Sequence, residues 1–331
     1  MNILVTGAEG FIGSHLSEAL VKLGHKVKCI VLYNSFNDYG WLDHIDKNIR
    51  KEIEICFGDI RDQSFVKKSM KKCDVVIHLA ALIGIPYSYI SPRSYVETNV
   101  MGTLNILQTV KELDISKLIH TSTSEVYGSA KFIPITEKHP LNGQSPYSAS
   151  KIAADHLANS FYLSFNTPVV TLRPFNTYGP RQSLRAIIPT IICQNLTGLK
   201  TIKLGTLKTT RDFTYISDTI SAFIKAIKSK NAIGKTINIG TGYEVSIKKI
   251  SEIIMKTTNK KLKIISEKER TRPNKSEVNR LCCSNQLAKK VLNWKPSYTG
   301  LKGLEKGICE TIKWFGKSEN LKKYKTKDFT F

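Results

Sequence analysis

Through its first half the chain alternates short apolar runs with longer stretches of helical periodicity. Residues 2–6 read as a strand, and Gly7-Ala8-Glu9-Gly10-Phe11-Ile12-Gly13 follows, opening an amphipathic helix that stops at Gly24. Further strands are expected over residues 26–32, 52–57, 74–79, 117 onward and 168–173, with an insertion from 35 to 48. The 74–79 run is apolar throughout its middle, as suits a parallel strand covered on both faces. Two long helices are expected. One spans 94–113, with Val96, Val100, Leu104 and Leu107 at helical spacing and Asn99 among them; the other begins near Tyr147 and carries Ile152, Ala153, Ala154, Leu157, Ala158, Phe161, Tyr162 and Phe165.

After residue 173 the regular alternation ends. Pro174-Phe175-Asn176-Thr177-Tyr178-Gly179-Pro180-Arg181-Gln182 reads as a loop crossing to a second region. Beyond it are expected a helix over 186–198, an element at Arg211-Asp212-Phe213, a strand over 236–239, and helices near 246–258, 284–292 and 300–316. The fold class that follows is α/β: a Rossmann-type doubly wound parallel sheet with a smaller mixed α/β domain for substrate. The expected division assigns 1–176 and about 211–243 to dinucleotide binding, about 177–210 and 244–316 to the second domain, and 317–331 to a loosely held basic tail.

Composition narrows the function classes. The net charge is +23, but lysines come in pairs along the whole chain, without aromatic interleaving or a nucleic-acid motif, so the excess reads as solvated surface. No apolar run approaches the length of a membrane span and no cleavable leader opens the chain, so a cytoplasmic protein without membrane association is expected. The seven cysteines are scattered and read as reduced structural thiols. The histidines show no metal spacing; His78 and His120 read as satisfied structural groups, and no metal is expected.

Candidate chemistry sits in two places. The first is the glycine turn, where Gly7, Gly10 and Gly13 let backbone N–H groups of the Phe11-Ile12 helix start approach a pyrophosphate. Asp59 and Ile60 would cover an adenine, and Leu79-Ala80-Ala81 leave room for a cofactor against the backbone. Asn99 is a further cofactor-binding candidate. The second strand ends in Val31-Leu32-Tyr33-Asn34-Ser35, with neither the acid of an NAD site nor the arginine of an NADP site. NAD is preferred because no cation is placed to pair with a 2′-phosphate, and NADP stays open.

The second place is the stretch from Lys117 to Lys151. An apolar strand turns abruptly into Thr121-Ser122-Thr123-Ser124-Glu125-Val126-Tyr127-Gly128, and Ser145-Pro146-Tyr147-Ser148-Ala149-Ser150-Lys151 follows after a loop. Tyr147 and Lys151 lie one helical turn apart on one face. Tyrosine ordinarily ionises near pH 10, and an adjacent cation in a partly desolvated site favours its phenolate. The Tyr147 helix is apolar around more than one stripe, which predicts pairing with the 94–113 helix and, across a two-fold axis, a homodimer through 94–113 and 147–166.

With those motifs in place, residues 1 to about 316 resemble an extended short-chain dehydrogenase/reductase acting on a nucleotide-diphosphate sugar. Thr123-Ser124-Glu125 with Tyr147 and Lys151 is similar to the nucleotide-sugar 4,6-dehydratases; the 4-epimerases usually have a small residue at the Glu125 position. Leu32-Tyr33-Asn34-Ser35-Phe36, Ala80 to Tyr89 and Arg272-Pro273-Asn274-Lys275-Ser276-Glu277-Val278 resemble the dehydratases of legionaminic-acid-type pathways, which act on UDP- or GDP-N-acetylglucosamine. The resemblance implies tightly bound NAD that takes hydride from C4 and returns it to C6, with loss of the 6-hydroxyl as water. It implies Tyr147 as base on the 4-hydroxyl, Thr123 orienting that hydroxyl, Lys151 on the cofactor ribose, and Glu125 as base at C5. Ser124 stands where dTDP-glucose dehydratases have an aspartic acid; the GDP-mannose dehydratases share Thr-Ser-Glu, and Glu125 relayed through Ser124 or water is the expected proton donor. Asn176, Arg181, Arg211 and Arg272 are candidate clamps for the diphosphate, and Glu277 for the nucleotide ribose. The rival readings are a UDP-glucuronate decarboxylase, a 4-epimerase and, more distantly, a dinucleotide-binding scaffold.

Overall fold

A computed structural model describes residues 1–267 and 270–324. Its centre is a seven-stranded sheet of β1 (Asn2–Thr6), β2 (Lys26–Leu32), β3 (Ile53–Gly58), β4 (Val75–His78), β5 (Lys117–Thr121), β6 (Val169–Pro174) and a last strand, Thr236–Ile239. All neighbours run parallel, in the order β3-β2-β1-β4-β5-β6 and then Thr236–Ile239. This is the doubly wound Rossmann arrangement expected from the alternation of strand and helix. The order reverses between β1 and β4, and open α/β sheets bind ligands at the carboxyl ends of the strands beside such a reversal. Val75, Val76 and Ile77 are buried on both faces, because helices cover the sheet on either side.

One face of the sheet packs α1 (Phe11–Lys22) and the Ile216–Lys228 helix. Its apolar cluster continues without a break into the Ile187–Leu196, Ile247–Thr257 and Gly300–Phe315 helices, through residues such as Ile188, Ile250 and Ile308. The opposite face is closed by the Gln63–Met70, Gly102–Glu112 and Pro146–Phe165 helices around Ile106, Leu107, Ala158 and Phe161. Among the described residues three two-stranded ladders lie outside the main sheet: Thr177–Tyr178 with Thr214–Tyr215, Thr210–Asp212 with Glu244–Ser246, and Thr201–Leu204 with Lys263–Ser266.

Two expectations change. The helix expected over 94–113 is continuous in direction but not in geometry: Val96–Met101 is a π-helical segment between Pro92–Tyr95 and Gly102–Glu112. Asn99 lies in it, and its amide is bound to Leu82 and Ser150, a tertiary demand that helical periodicity does not encode. The start of the basic tail is docked, not loose: Leu321 and Tyr324 pack on the core, with Tyr324 5.1 Å from Phe315 between ring centroids and 5.8 Å from Trp41. The rest of that tail, 325–331, lies outside the described residues. No described helix is long and apolar enough to cross a membrane, and the described residues hold no cluster of metal-ligating side chains.

Candidate active site

A cavity of about 1110 Å³ opens at the carboxyl ends of the strands. It is larger than the usual range for a single small-molecule pocket, and so has room for a dinucleotide beside a second ligand. Its floor is the glycine turn. Gly7 has φ +65°, and a side chain there would come within 2.8 Å of the Ala80 backbone. A Cβ at Gly13 would lie 2.2 Å from the Gly7 carbonyl oxygen, so only glycine lets α1 start this close to β1. Gly10 caps α1 without a side-chain acceptor and no acid stands in the first turn, which leaves the helix's N–H groups and positive dipole end to an incoming anion. Gly7, Gly10, Phe11, Ile12, Gly13, Asp59, Ile60, Leu79, Ala80 and Ala81 all line the cavity and fit a dinucleotide. Thr6 Oγ1 steadies this wall by accepting from the N–H groups of Leu79 and Ala80 at 3.1 and 3.0 Å.

Asn99 stands apart from the other cofactor candidates. It does not line the cavity: Oδ1 accepts from Leu82 N at 2.8 Å, and Nδ2 donates to Leu82 O at 2.9 Å and Ser150 Oγ at 3.0 Å. It positions the 80–82 segment against the Tyr147 helix.

That helix, Pro146–Phe165, starts from a capping box in which Ser145 Oγ accepts from Ser148 N and Ser145 N donates to Ser148 Oγ, with Pro146 in the first turn. The cap sets where the helix begins, and so puts Tyr147 and Lys151 one turn apart on the cavity wall. Thr123, Ser124 and Glu125 reach the same wall from the short Ser124–Tyr127 turn after β5. The tyrosine's electrostatics differ from expectation. Burial pushes the Tyr147 phenol well up, opposed by a hydrogen bond with Thr123 and reinforced by the nearby Glu125 charge. The Lys151 ammonium is directed at the Thr121 carbonyl, 2.7 Å away, and burial lowers its pKa to about 8 against the pull of Asp155.

Beneath these residues lies a buried polar network that the sequence reading missed. Asp155 accepts from His120 Nε2 at 3.1 Å, Ser122 Oγ at 2.7 Å and Arg173 Nε at 3.0 Å. Arg173 also donates to the Tyr127 hydroxyl, which in turn donates to Asn238 Oδ1. One signal was available: Asp155 lies one turn beyond Lys151 on the same helical face, where a carboxylate facing a core needs a cation. His78 is a satisfied structural group as expected, between Thr6 and Thr103; His120 is bonded through Nε2 to Asp155 alone, its buried Nδ1 having no partner among the described residues, and burial holds both rings below the usual histidine range.

The substrate candidates fall into two groups. Arg272 donates to Glu125 Oε2 at 3.2 Å, and Arg211 donates to Glu277 Oε1 at 3.5 Å, so four residues from three segments distant in sequence converge as one charge cluster on the cavity wall. Burial draws Arg211 below the usual guanidinium range; Arg272 is held above it by Glu125 and Glu277 despite its burial. Asn176 also lines the cavity, with Oδ1 buried and unpartnered among the described residues. Arg181 is not brought to the Arg211–Arg272 cluster: its guanidinium pairs with Glu18 of α1 at 2.9 Å and donates to Ser14 at 3.4 Å, although it too touches the cavity.

The family model described as GDP-mannose 4,6 dehydratase matches residues 4–307. The chain belongs to this family. It is 39% identical over 264 residues to the dTDP-D-glucose 4,6-dehydratase of Dictyostelium discoideum, which covers 74% of this chain and 59% of that protein. It is 33% identical over 335 residues to the UDP-N-acetyl-alpha-D-glucosaminuronate decarboxylase of Bacillus cytotoxicus, covering 96% of this chain and 98% of that one. The solved dTDP-glucose 4,6-dehydratase from Bacillus anthracis, in complex with NAD, matches with a TM-score of 0.82 at 29% identity, covering 96% of this chain and 97% of that one. Relatives in this family thus include both dehydratases and decarboxylases, and the chain is similar to both.

Proposed function

We propose that the protein is a nucleotide-sugar 4,6-dehydratase that converts UDP- or GDP-N-acetylglucosamine to the 4-keto-6-deoxy sugar. The observation that carries this reading is Glu125, a carboxylate on the wall that also holds Thr123 and Tyr147. The cofactor is NAD, which when bound supplies a hydride acceptor for C4 and a hydride donor for C6. Tyr147 accepts the proton of the 4-hydroxyl, which Thr123 orients through its own hydrogen bond with the phenol. Lys151, held between Thr121 O and the field of Asp155, is assigned to the cofactor ribose, and its positive charge works against the burial that pushes the Tyr147 phenol up. Once C4 is a carbonyl the C5 proton is acidic, and Glu125 removes it as the 6-hydroxyl leaves as water, with the proton passed through Ser124 or a water.

Arg211, Arg272 and Asn176 are assigned to the substrate's diphosphate and Glu277 to its nucleotide ribose. Arg272 then has two duties, since it also fixes Glu125. N-acetylglucosamine as the sugar rests on the resemblance of the 80–89 and 272–278 segments to legionaminic-pathway dehydratases. Support for treating them as one unit comes from Tyr89, whose hydroxyl is 2.6 Å from Ser276 Oγ. The proposed two-domain division assigns 177–210 and 244–316 to substrate. The proposed homodimer uses the helix pair 94–113 and 147–166, where Val96, Met101, Leu163 and Phe165 are exposed.

The test is incubation with UDP- and GDP-N-acetylglucosamine in heavy water, followed by mass spectrometry. Loss of one water with solvent deuterium at C5 is expected from one of the two substrates. Inversion at C4 without label, or unchanged mass with both, refutes the assignment; loss of carbon dioxide from a UDP-hexuronate, with no reaction of the hexosamines, establishes a decarboxylase instead.

A further inference from the structure

The end of β2 lacks the acid that an NAD site ordinarily carries there, since Leu32 is followed by Tyr33 and Asn34. A carboxylate nevertheless arrives at that point from the glycine turn. Glu9 Oε1 accepts from the Leu32 N–H at 3.1 Å, so the side chain reaches from the turn to the last residue of β2. Its other oxygen, Oε2, is buried and has no hydrogen-bond partner among the described residues, which is costly unless a ligand satisfies it. Glu9 lines the cavity together with Leu32, Gly58 and Asp59. The loop after β2 fixes its backbone: Trp41 N donates to Glu9 O at 2.9 Å, and a side chain at Gly40 would strike that same oxygen. Arg61, the cation that follows β3, is neutralised by Asp59, with Nε and Nη2 at 2.9 and 2.6 Å from Oδ2.

We propose that Glu9 receives the adenosine ribose hydroxyls of NAD and excludes the 2′-phosphate of NADP, taking over from the glycine turn the role that the end of β2 leaves vacant. This rests on the dinucleotide reading of the same cavity. A ribose diol offers O–H donors to an unpartnered carboxylate oxygen. A 2′-phosphate offers only acceptors and negative charge, so both it and Glu9 lose solvation with no bond in return.

The test compares dissociation constants for NAD and NADP by isothermal titration calorimetry, on protein freed of co-purified nucleotide. Wild-type protein is expected to favour NAD by at least about 100-fold. Glu9→Gln keeps the shape and the acceptor for Leu32 but puts an amide donor where Oε2 was, and is expected to weaken NAD by roughly 10- to 100-fold while leaving NADP unchanged or tighter. Glu9→Asp keeps the charge and is expected to retain discrimination against NADP. Should Glu9→Gln not fold, Glu9→Ser carries the same comparison, since it removes the buried carboxylate altogether. An unchanged NAD-to-NADP ratio in Glu9→Gln or Glu9→Ser, or an equal loss of both nucleotides, overturns the assignment while leaving the dinucleotide site intact. Wild-type protein that binds neither nucleotide overturns the site as well.

Discussion

Asp155→Asn is the substitution that most directly tests the network beneath the active site. The carboxylate is buried and joins three elements: its own helix, β5 through His120 and the adjoining Ser122, and β6 through Arg173, whose Nη2 lies 2.9 Å from Oδ2. The asparagine has nearly the same shape, so no cavity forms. What changes is charge and donor count: one oxygen becomes an N–H₂ group that cannot face Arg173, and the guanidinium is left buried without a counter-ion. Removing one partner of a buried ion pair costs about 3–5 kcal/mol. Against a total stability of roughly 5–15 kcal/mol, that is a large fraction. Urea unfolding followed by circular dichroism at neutral pH reads it as a lower midpoint at unchanged slope. Two internal controls separate the ion pair from generic damage. Pairing Asp155→Leu with Arg173→Met should cost less than the sum of the two single changes by roughly 1–3 kcal/mol, because the double variant leaves no orphaned charge. The gap between wild type and Asp155→Asn should also close in acid. Burial works against the ionised form of Asp155, but the His120 bond and the Arg173 charge hold its pKa below the usual carboxylate range. Its contribution is therefore fully present above the unfolded value of about 3.9 and is lost as pH falls through the lower folded value. A cost below about 1 kcal/mol, or strict additivity with Arg173→Met, would falsify this account of the network.

Three further outcomes follow from the same geometry. Glu125→Gln should still reduce bound cofactor when substrate is added, seen as absorbance near 340 nm, but should lose water release by roughly 100-fold or more; full turnover in that variant removes Glu125 from the proton transfers. Gly13→Ala places a methyl group 2.2 Å from the Gly7 carbonyl, so α1 must withdraw from β1; titration calorimetry should show dinucleotide binding weakened at least about tenfold, and unaltered affinity would mean the turn does not hold the pyrophosphate. Lys151→Met should abolish turnover yet raise the melting temperature of the ligand-free protein at pH 7. Burial sets the folded pKa of Lys151 at about 8, below the unfolded value of about 10.4, so its ammonium destabilises the fold at neutral pH and the penalty fades between those two values. A melting-temperature difference that stays flat from pH 7 to 10.5 would contradict this.

Local patterning determined a great deal of this protein. The bounds of β1 and β2 follow from their apolar runs, and the glycine turn, the capped start of the Tyr147 helix and the Tyr147–Lys151 spacing are all features of a few consecutive residues. Such features are legible because propensity, periodicity and capping act within one or two turns of chain. What only the tertiary structure decided involves partners from distant segments. Asn99 was read as facing the cofactor, yet its amide is taken by Leu82 and Ser150 and its helix is π-wound. Arg181 was grouped with Arg211 and Arg272, but an ion pair with Glu18 holds it on α1. Arg272 lies 147 residues from Glu125 in sequence and donates to it directly, and Glu9 meets the end of β2 across 23 residues. Residue type and local spacing say what chemistry a side chain can perform; which partner it meets depends on how the strands are ordered and how closely the helices approach them, and no short window of sequence contains that information.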